Sequence, residues 1–130
     1  MHEYSMMQTV LEAVLNAAKP HKAEEVLEIS LEVGELTFLK PEELKFAFSV
    51  LSKGTIAEKA CLRIKRIRPR IKCADCGYEG YVKYEEPEHH SLDIPLQLKC
   101  MKCGSTKVEI TRGRECNVKN LKVKLPNVQK

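Results

Sequence analysis

The chain has 130 residues, 43% apolar and 31% charged, with six cysteines and a formal charge of +4, which is room for one ordinary domain or a small domain carrying a smaller module. No apolar run reaches the ~20 residues of a membrane span, and residues 1–18 carry Glu3 and Glu12 instead of a basic leader segment, so a cytoplasmic protein is expected, with its cysteines as thiols or metal ligands before disulfides. The charge is divided: residues 1–60 hold 6 Lys/Arg against 10 Asp/Glu, and residues 61–130 hold 16 against 8, which permits a nucleic-acid reading of the second half, although scattered lysines on a solvated surface are the commoner cause.

The chain opens Met1-His2-Glu3. A histidine in second position lets the terminal amine, the backbone nitrogen of residue 2 and the imidazole close fused chelate rings on one metal ion. Three nitrogens in a plane suit nickel(II) or copper(II). Glu3 could supply a fourth ligand by its backbone nitrogen or its carboxylate. Alone, such a tripeptide reads equally as an arbitrary chain end.

Over residues 4–19 the apolar positions Met6, Met7, Val10, Leu11, Val14, Leu15 and Ala18 recur at helical spacing. Ser5 followed by Gln8 has the form of a capping box, which would start the regular helix just behind the tripeptide. Met6 and Met7 read as core packing, and His21, after Pro20, as a surface residue. Leu27, Ile29, Leu31 and Val33 then alternate with Glu28, Ser30 and Glu32, a strand with one buried face. Gly34 breaks it. Pro41 suits the first position of a second helix, with Glu42 and Glu43 near its positive end and Gly54 as its stop. Phe46 and Phe48 cannot both face one core squarely, so either the buried face is broad or one of them meets a partner.

Leu62, Ile64 and Ile67, interleaved with Arg63, Lys65, Arg66 and Arg68, predict a second strand with a cationic outer face of the kind that protects sheet edges. Pro69 marks a boundary. Beyond it stand Cys73-Ala-Asp-Cys76-Gly and Cys100-Met-Lys-Cys103-Gly, 23 residues apart. Each two-residue gap lets a tight turn aim both thiolates at one ion, and the following glycine supplies the open backbone angle. With strand-like segments over residues 78–84, 96–99 and 108–111, the pair describes a four-cysteine zinc ribbon. Four protein ligands close the site, so its zinc would be structural. Between the knuckles an acidic segment, residues 85–93, includes His89 and His90, which read as solvated side chains or as further ligands to an N-terminal metal.

The last stretch alternates Cys116 and Val118 and then, after a slip at Lys119 and Asn120, Leu121, Val123 and Leu125 against lysines, a strand returning to the first sheet. Cys61 and Cys116 would be small buried residues of that sheet. The fold class expected is α+β: two helices packed on a small three-stranded sheet, residues 1–68 plus 114–130, with a zinc-ribbon module inserted at residues 69–113.

Together these parts resemble the HypA family of nickel metallochaperones that mature NiFe-hydrogenases, archaeal-type members in particular. The residues that carry the resemblance are Met1-His2-Glu3, Gly34-Glu35-Leu36, residues 41–48, Gly54-Thr55 and the two Cys-x-x-Cys units. The resemblance implies nickel binding by Met1, His2 and Glu3, zinc binding by Cys73, Cys76, Cys100 and Cys103, and delivery of Ni(II) as cargo, not catalysis. His89 and His90 are then candidate nickel ligands, and the loop register leaves open which of them would bind. Implied partners are the GTPase HypB and the hydrogenase large subunit, and a homodimer stays open. The rival is a zinc-ribbon nucleic-acid-binding protein. Against it, Tyr78, Tyr81 and Tyr84 lie at a spacing that does not make one stacking face. A zinc hydrolase fares worse, because a site closed by four cysteines has no position for water.

Overall fold

The computed structural model describes residues 2–84 and 97–126. It divides into two compact units: Met1–Val33, Leu39–Lys65 and Cys116–Lys130 form the first, and Gly34–Phe38 with Arg66–Glu115 the second.

In the first unit, helix α1 spans His2–Ala18 and buries Met7, Val10, Leu11, Val14 and Ala18, one stripe at helical period. It begins at His2, not behind Ser5 as the capping pattern suggested. The Ser5 hydroxyl donates to the His2 carbonyl at 3.3 Å, so it reinforces the first turn from within, and Glu3 stands where a helix favours negative charge. Pro20 ends the helix in a 3-10 turn, Lys19–His21, and His21 is exposed as expected.

Strand β1, Glu25–Gly34, is the centre of a three-stranded sheet, flanked by β2, Cys61–Ile67, and β6, Cys116–Lys124, in the order β2-β1-β6. β1 and β6 run antiparallel, with Ile29 opposite Leu121, Leu31 opposite Val118 and Val33 opposite Cys116. The register shifts twice. One shift passes over Lys119, where the sequence pattern slipped. The other passes over Leu27, and it corrects the expected inward face: the bulge turns Leu27 out, 39% exposed, and gives its place to the fully buried Val26. Cys61 is exposed and Cys116 only partly covered, because β2 and β6 are the sheet edges, so neither is the buried residue expected.

Helix α2 spans Pro41–Leu51, with Lys40 in the extended conformation that a following proline requires. Leu44, Ala47 and Phe48 are buried against the core, while Phe46 is 71% exposed. The core of this unit is apolar and continuous: Met7, Val14, Ile29, Leu31 and Leu44 are all essentially inaccessible.

The second unit holds a second antiparallel sheet, order β4-β3-β5, from β3 (Arg70–Cys73), β4 (Glu79–Tyr81) and β5 (Val108–Arg112). β4 is shorter than the expected strand over residues 78–84. Residues 97–99 form no strand, and residue 96 lies outside the described residues. Its core gathers Ile71, Val82 and Leu98 with the ligand-type residues Cys73 and Cys100. The short segment Gly34–Phe38 is fastened into this unit. The Gly34 N–H donates to the Glu115 carbonyl at 2.6 Å and the Leu36 N–H to the Gly113 carbonyl at 2.8 Å. The Tyr84 hydroxyl donates to Glu35 at 2.9 Å, and its ring meets Phe38 edge-on at 6.1 Å. A Cβ on Gly34 would lie 2.1 Å from the Gly113 carbonyl, so no side chain fits there.

Candidate metal centres

Two knuckles that share one pattern of backbone–backbone hydrogen bonds build the first centre. In one, the Cys73 N–H donates to the Tyr78 carbonyl and the Gly77 N–H to the Cys73 carbonyl; in the other, Cys100 donates to Ser105 and Gly104 to Cys100, all at 2.8–3.1 Å. Gly77 and Gly104 hold φ of +78° and +77°, the left-handed angle that the sequence pattern required of them. The four Sγ atoms of Cys73, Cys76, Cys100 and Cys103 lie within 4.8 Å of one another. The close approaches cross between knuckles: Cys73 to Cys103 and Cys76 to Cys100, each 3.6 Å. A tetrahedron of thiolates with metal–sulfur bonds of ~2.3 Å has edges of ~3.8 Å. The observed separations fit that shape and are far too long for disulfides, whose S–S bond is ~2.05 Å; all four cysteines are free.

Left to titrate among themselves, the thiols separate widely. Burial pushes Cys100 up, but the N–H groups of Cys103 and Lys102, at 3.4 and 3.3 Å from its sulfur, outweigh that and hold it at about 6. For Cys103 the Ser105 N–H pulls down, yet burial and the neighbouring sulfurs of Cys73, Cys76 and Cys100 push it up to about 12. A cation at the centre would favour every thiolate at once. Cys73 and Cys100 are buried while Cys76 and Cys103 are exposed, so one side of the centre packs into the core of the unit.

The second candidate lies in the first unit. His2 is exposed in the first turn of α1. The Glu3 carboxylate accepts the Lys40 N–H at 3.1 Å, at the start of α2. Burial raises its pKa, but the hydrogen bonds from Lys40, its own N–H and Glu43 bring it below the ordinary value. Met1, His89 and His90, the other expected nickel ligands, lie outside the described residues.

A family model described as "Hydrogenase/urease nickel incorporation, metallochaperone, hypA" matches residues 1–123. The chain belongs to the HypA family. It is 43% identical over 123 residues to the hydrogenase maturation factor HypA of Methanothermobacter thermautotrophicus, covering 95% of this chain and 97% of that one. To the HypA of Methanocaldococcus jannaschii it is 45% identical over 128 residues, with the same two coverages. The solution structure of the Ni metallochaperone HypA from Helicobacter pylori superposes with a TM-score of 0.66 at 22% identity, covering 95% of this chain and 98% of that one, a likeness of fold. The HypA family is one of metallochaperones and maturation factors, not of enzymes. Within this HypA-family chain, sequence reading missed the Glu3–Lys40 contact. Its partners stand 37 residues apart, and no local pattern signals the pairing.

Proposed function

We propose that the chain binds one Ni(II) through Met1, His2 and Glu3 and delivers it in the cytoplasm to the NiFe-hydrogenase large subunit during maturation, with Zn(II) held structurally by Cys73, Cys76, Cys100 and Cys103. What most supports the nickel site is the position of His2 in the first turn of α1. The leading N–H groups of a helix have no backbone acceptor within it, so the backbone nitrogen of His2 can lose its proton to a metal without breaking the helix. The fourth in-plane position lies opposite the His2 backbone nitrogen, out of reach of the adjoining Glu3 nitrogen, so we assign to it the Glu3 carboxylate, which also accepts the Lys40 N–H. His89 and His90 are further candidate ligands from the segment between the knuckles.

A chelate at a chain end releases its cargo by opening one residue at a time, whereas the four-cysteine centre is tied into a core and keeps its metal. The four thiolates suit zinc by softness and by shape. For the GTPase HypB we propose the outer face of α2, where Phe46 and Val50 stand exposed one turn apart beside Glu42 and Glu43. The experiment is transfer: nickel-loaded protein is mixed with nickel-free hydrogenase large subunit, and metal is measured on each after separation. The native chain should pass its nickel on and His2→Ala should have none to pass. Nickel transferred equally by both would overturn the assignment.

A further inference from the structure

The second unit carries a cationic face that neither metal centre uses. Arg66, Arg68 and Arg70 recur at every second residue, and Pro69 keeps the stretch between the last two extended. The guanidinium carbon of Arg68 lies 4.1 Å from the centroid of the Tyr81 ring, and that of Arg70 lies 4.9 Å from it. Arg70 and Tyr81 are also register partners across β3 and β4. Two guanidinium groups thus share one phenol ring, held near each other despite their like charge.

Neighbouring cations are neutralised locally. Lys72 pairs with Glu79 at 3.6 Å and Arg112 with Glu115 at 3.3 Å. Among the described residues, no carboxylate forms an ion pair with Arg66, Arg68 or Arg70. Stacking on an aromatic ring fixes the plane of a guanidinium and leaves its N–H edge free, which is the geometry that takes a carboxylate by two parallel hydrogen bonds.

We propose that Arg68 and Arg70, held on the Tyr81 ring, form with the exposed Arg66 a docking face for an extended acidic segment of a partner protein. Alternate residues of an extended chain advance ~6.5–7 Å, so a strand with Asp or Glu at every second position meets the arginines in step. A nucleic acid fits less well. Among the described residues, the ring of Tyr81 is already taken by guanidinium groups, and Tyr78 and Tyr84 are partly buried against the core of the unit, which leaves a base little to stack on.

The test is fluorescence anisotropy of a labelled peptide of alternating glutamate and serine against the full chain, at low and high salt, with an oligothymidylate of equal length as competitor. The native protein should bind the peptide at low salt and release it at high salt. Arg68→Gln with Arg70→Gln should weaken binding about tenfold or more, as expected for a lost bidentate charge pair. Arg68→Lys with Arg70→Lys keeps the charge but loses the fork, and should fall between. Tyr81→Leu removes no charge and should still weaken binding several-fold, a loss that net charge alone would not produce. Lys122→Gln, on β6, should change nothing. Unchanged far-UV circular dichroism and unchanged cobalt–thiolate absorption in each variant separate loss of docking from loss of fold. Absence of peptide binding at low salt, native affinity in the double Gln variant, or tighter arginine-dependent binding of the oligothymidylate would each overturn the proposal.

Discussion

Gly104→Ala isolates what one backbone angle contributes to metal affinity. Gly104 sits at φ +77° and a Cβ added there meets nothing within 4 Å, so the substitution introduces no clash. Its penalty is the left-handed conformation alone, about 1–2 kcal/mol for a residue with a side chain. That conformation allows the Gly104 N–H to reach the Cys100 carbonyl and closes the knuckle that aims Cys100 and Cys103 at one point. Metal binding and folding of such a site share one free energy, so the loss should emerge as a zinc affinity weaker by about 5- to 30-fold. Gly77→Ala, at φ +78° and equally open, should behave alike. Gly54 supplies the control: it has φ +80°, is also open and lies in the other unit, so Gly54→Ala should lower stability by a similar amount and leave zinc affinity alone. The assay is competition for Zn(II) against a chromophoric chelator at neutral pH, beside denaturation followed by circular dichroism. Native zinc affinity in Gly104→Ala, or an equal loss in Gly54→Ala, would refute the reasoning.

Gly34→Ala should be far more damaging than either, since its Cβ would fall 2.1 Å from the Gly113 carbonyl; urea denaturation should show a loss of about 3 kcal/mol or more. Glu115→Gln tests a carboxylate that burial raises but the N–H groups of Glu115 and Gly113, with Arg112, hold below the ordinary value. A lowered folded-state pKa gives stability that is present above the unfolded value and lost as pH falls through the folded one. The variant should therefore be about 1 kcal/mol less stable at neutral pH, with the gap from native closing in acid; a gap independent of pH would contradict this. Phe46→Ser should change stability by no more than about 0.5 kcal/mol, since Phe46 is 71% exposed, yet weaken binding to HypB in a pull-down or calorimetric titration; undiminished binding would remove α2 from the proposed interface.

What could be read from the sequence was local. The stripe of Met7, Val10, Leu11 and Val14, the Pro41 start of α2 and the glycine after each cysteine pair all act within one turn of chain, and each appears where its pattern placed it. The misreadings arise where a distant partner decides. Alternation placed Leu27 inside, but pairing with β6 introduces a bulge there and exchanges it for Val26. β3 was not read as a strand because it lies between Pro69, which marked a boundary, and the first knuckle, and only its pairing with β4 and β5 reveals it; Ile71 and Cys73 within it are buried. The four-cysteine centre was legible because a two-residue gap states its own geometry. The Glu3–Lys40 contact was not, because a carboxylate in a first helical turn is satisfied there by the dipole alone and gives no sign of a second partner.

The most direct measurement is a calorimetric nickel titration of the zinc-loaded protein with its native, untagged N-terminus, beside His2→Ala and a variant lacking both His89 and His90. One nickel per native chain, lost in His2→Ala while zinc is retained, is the expected result, and the double variant reports whether the segment between the knuckles adds a ligand. Equal nickel binding by His2→Ala would contradict the N-terminal site and leave the tripeptide as an ordinary chain end.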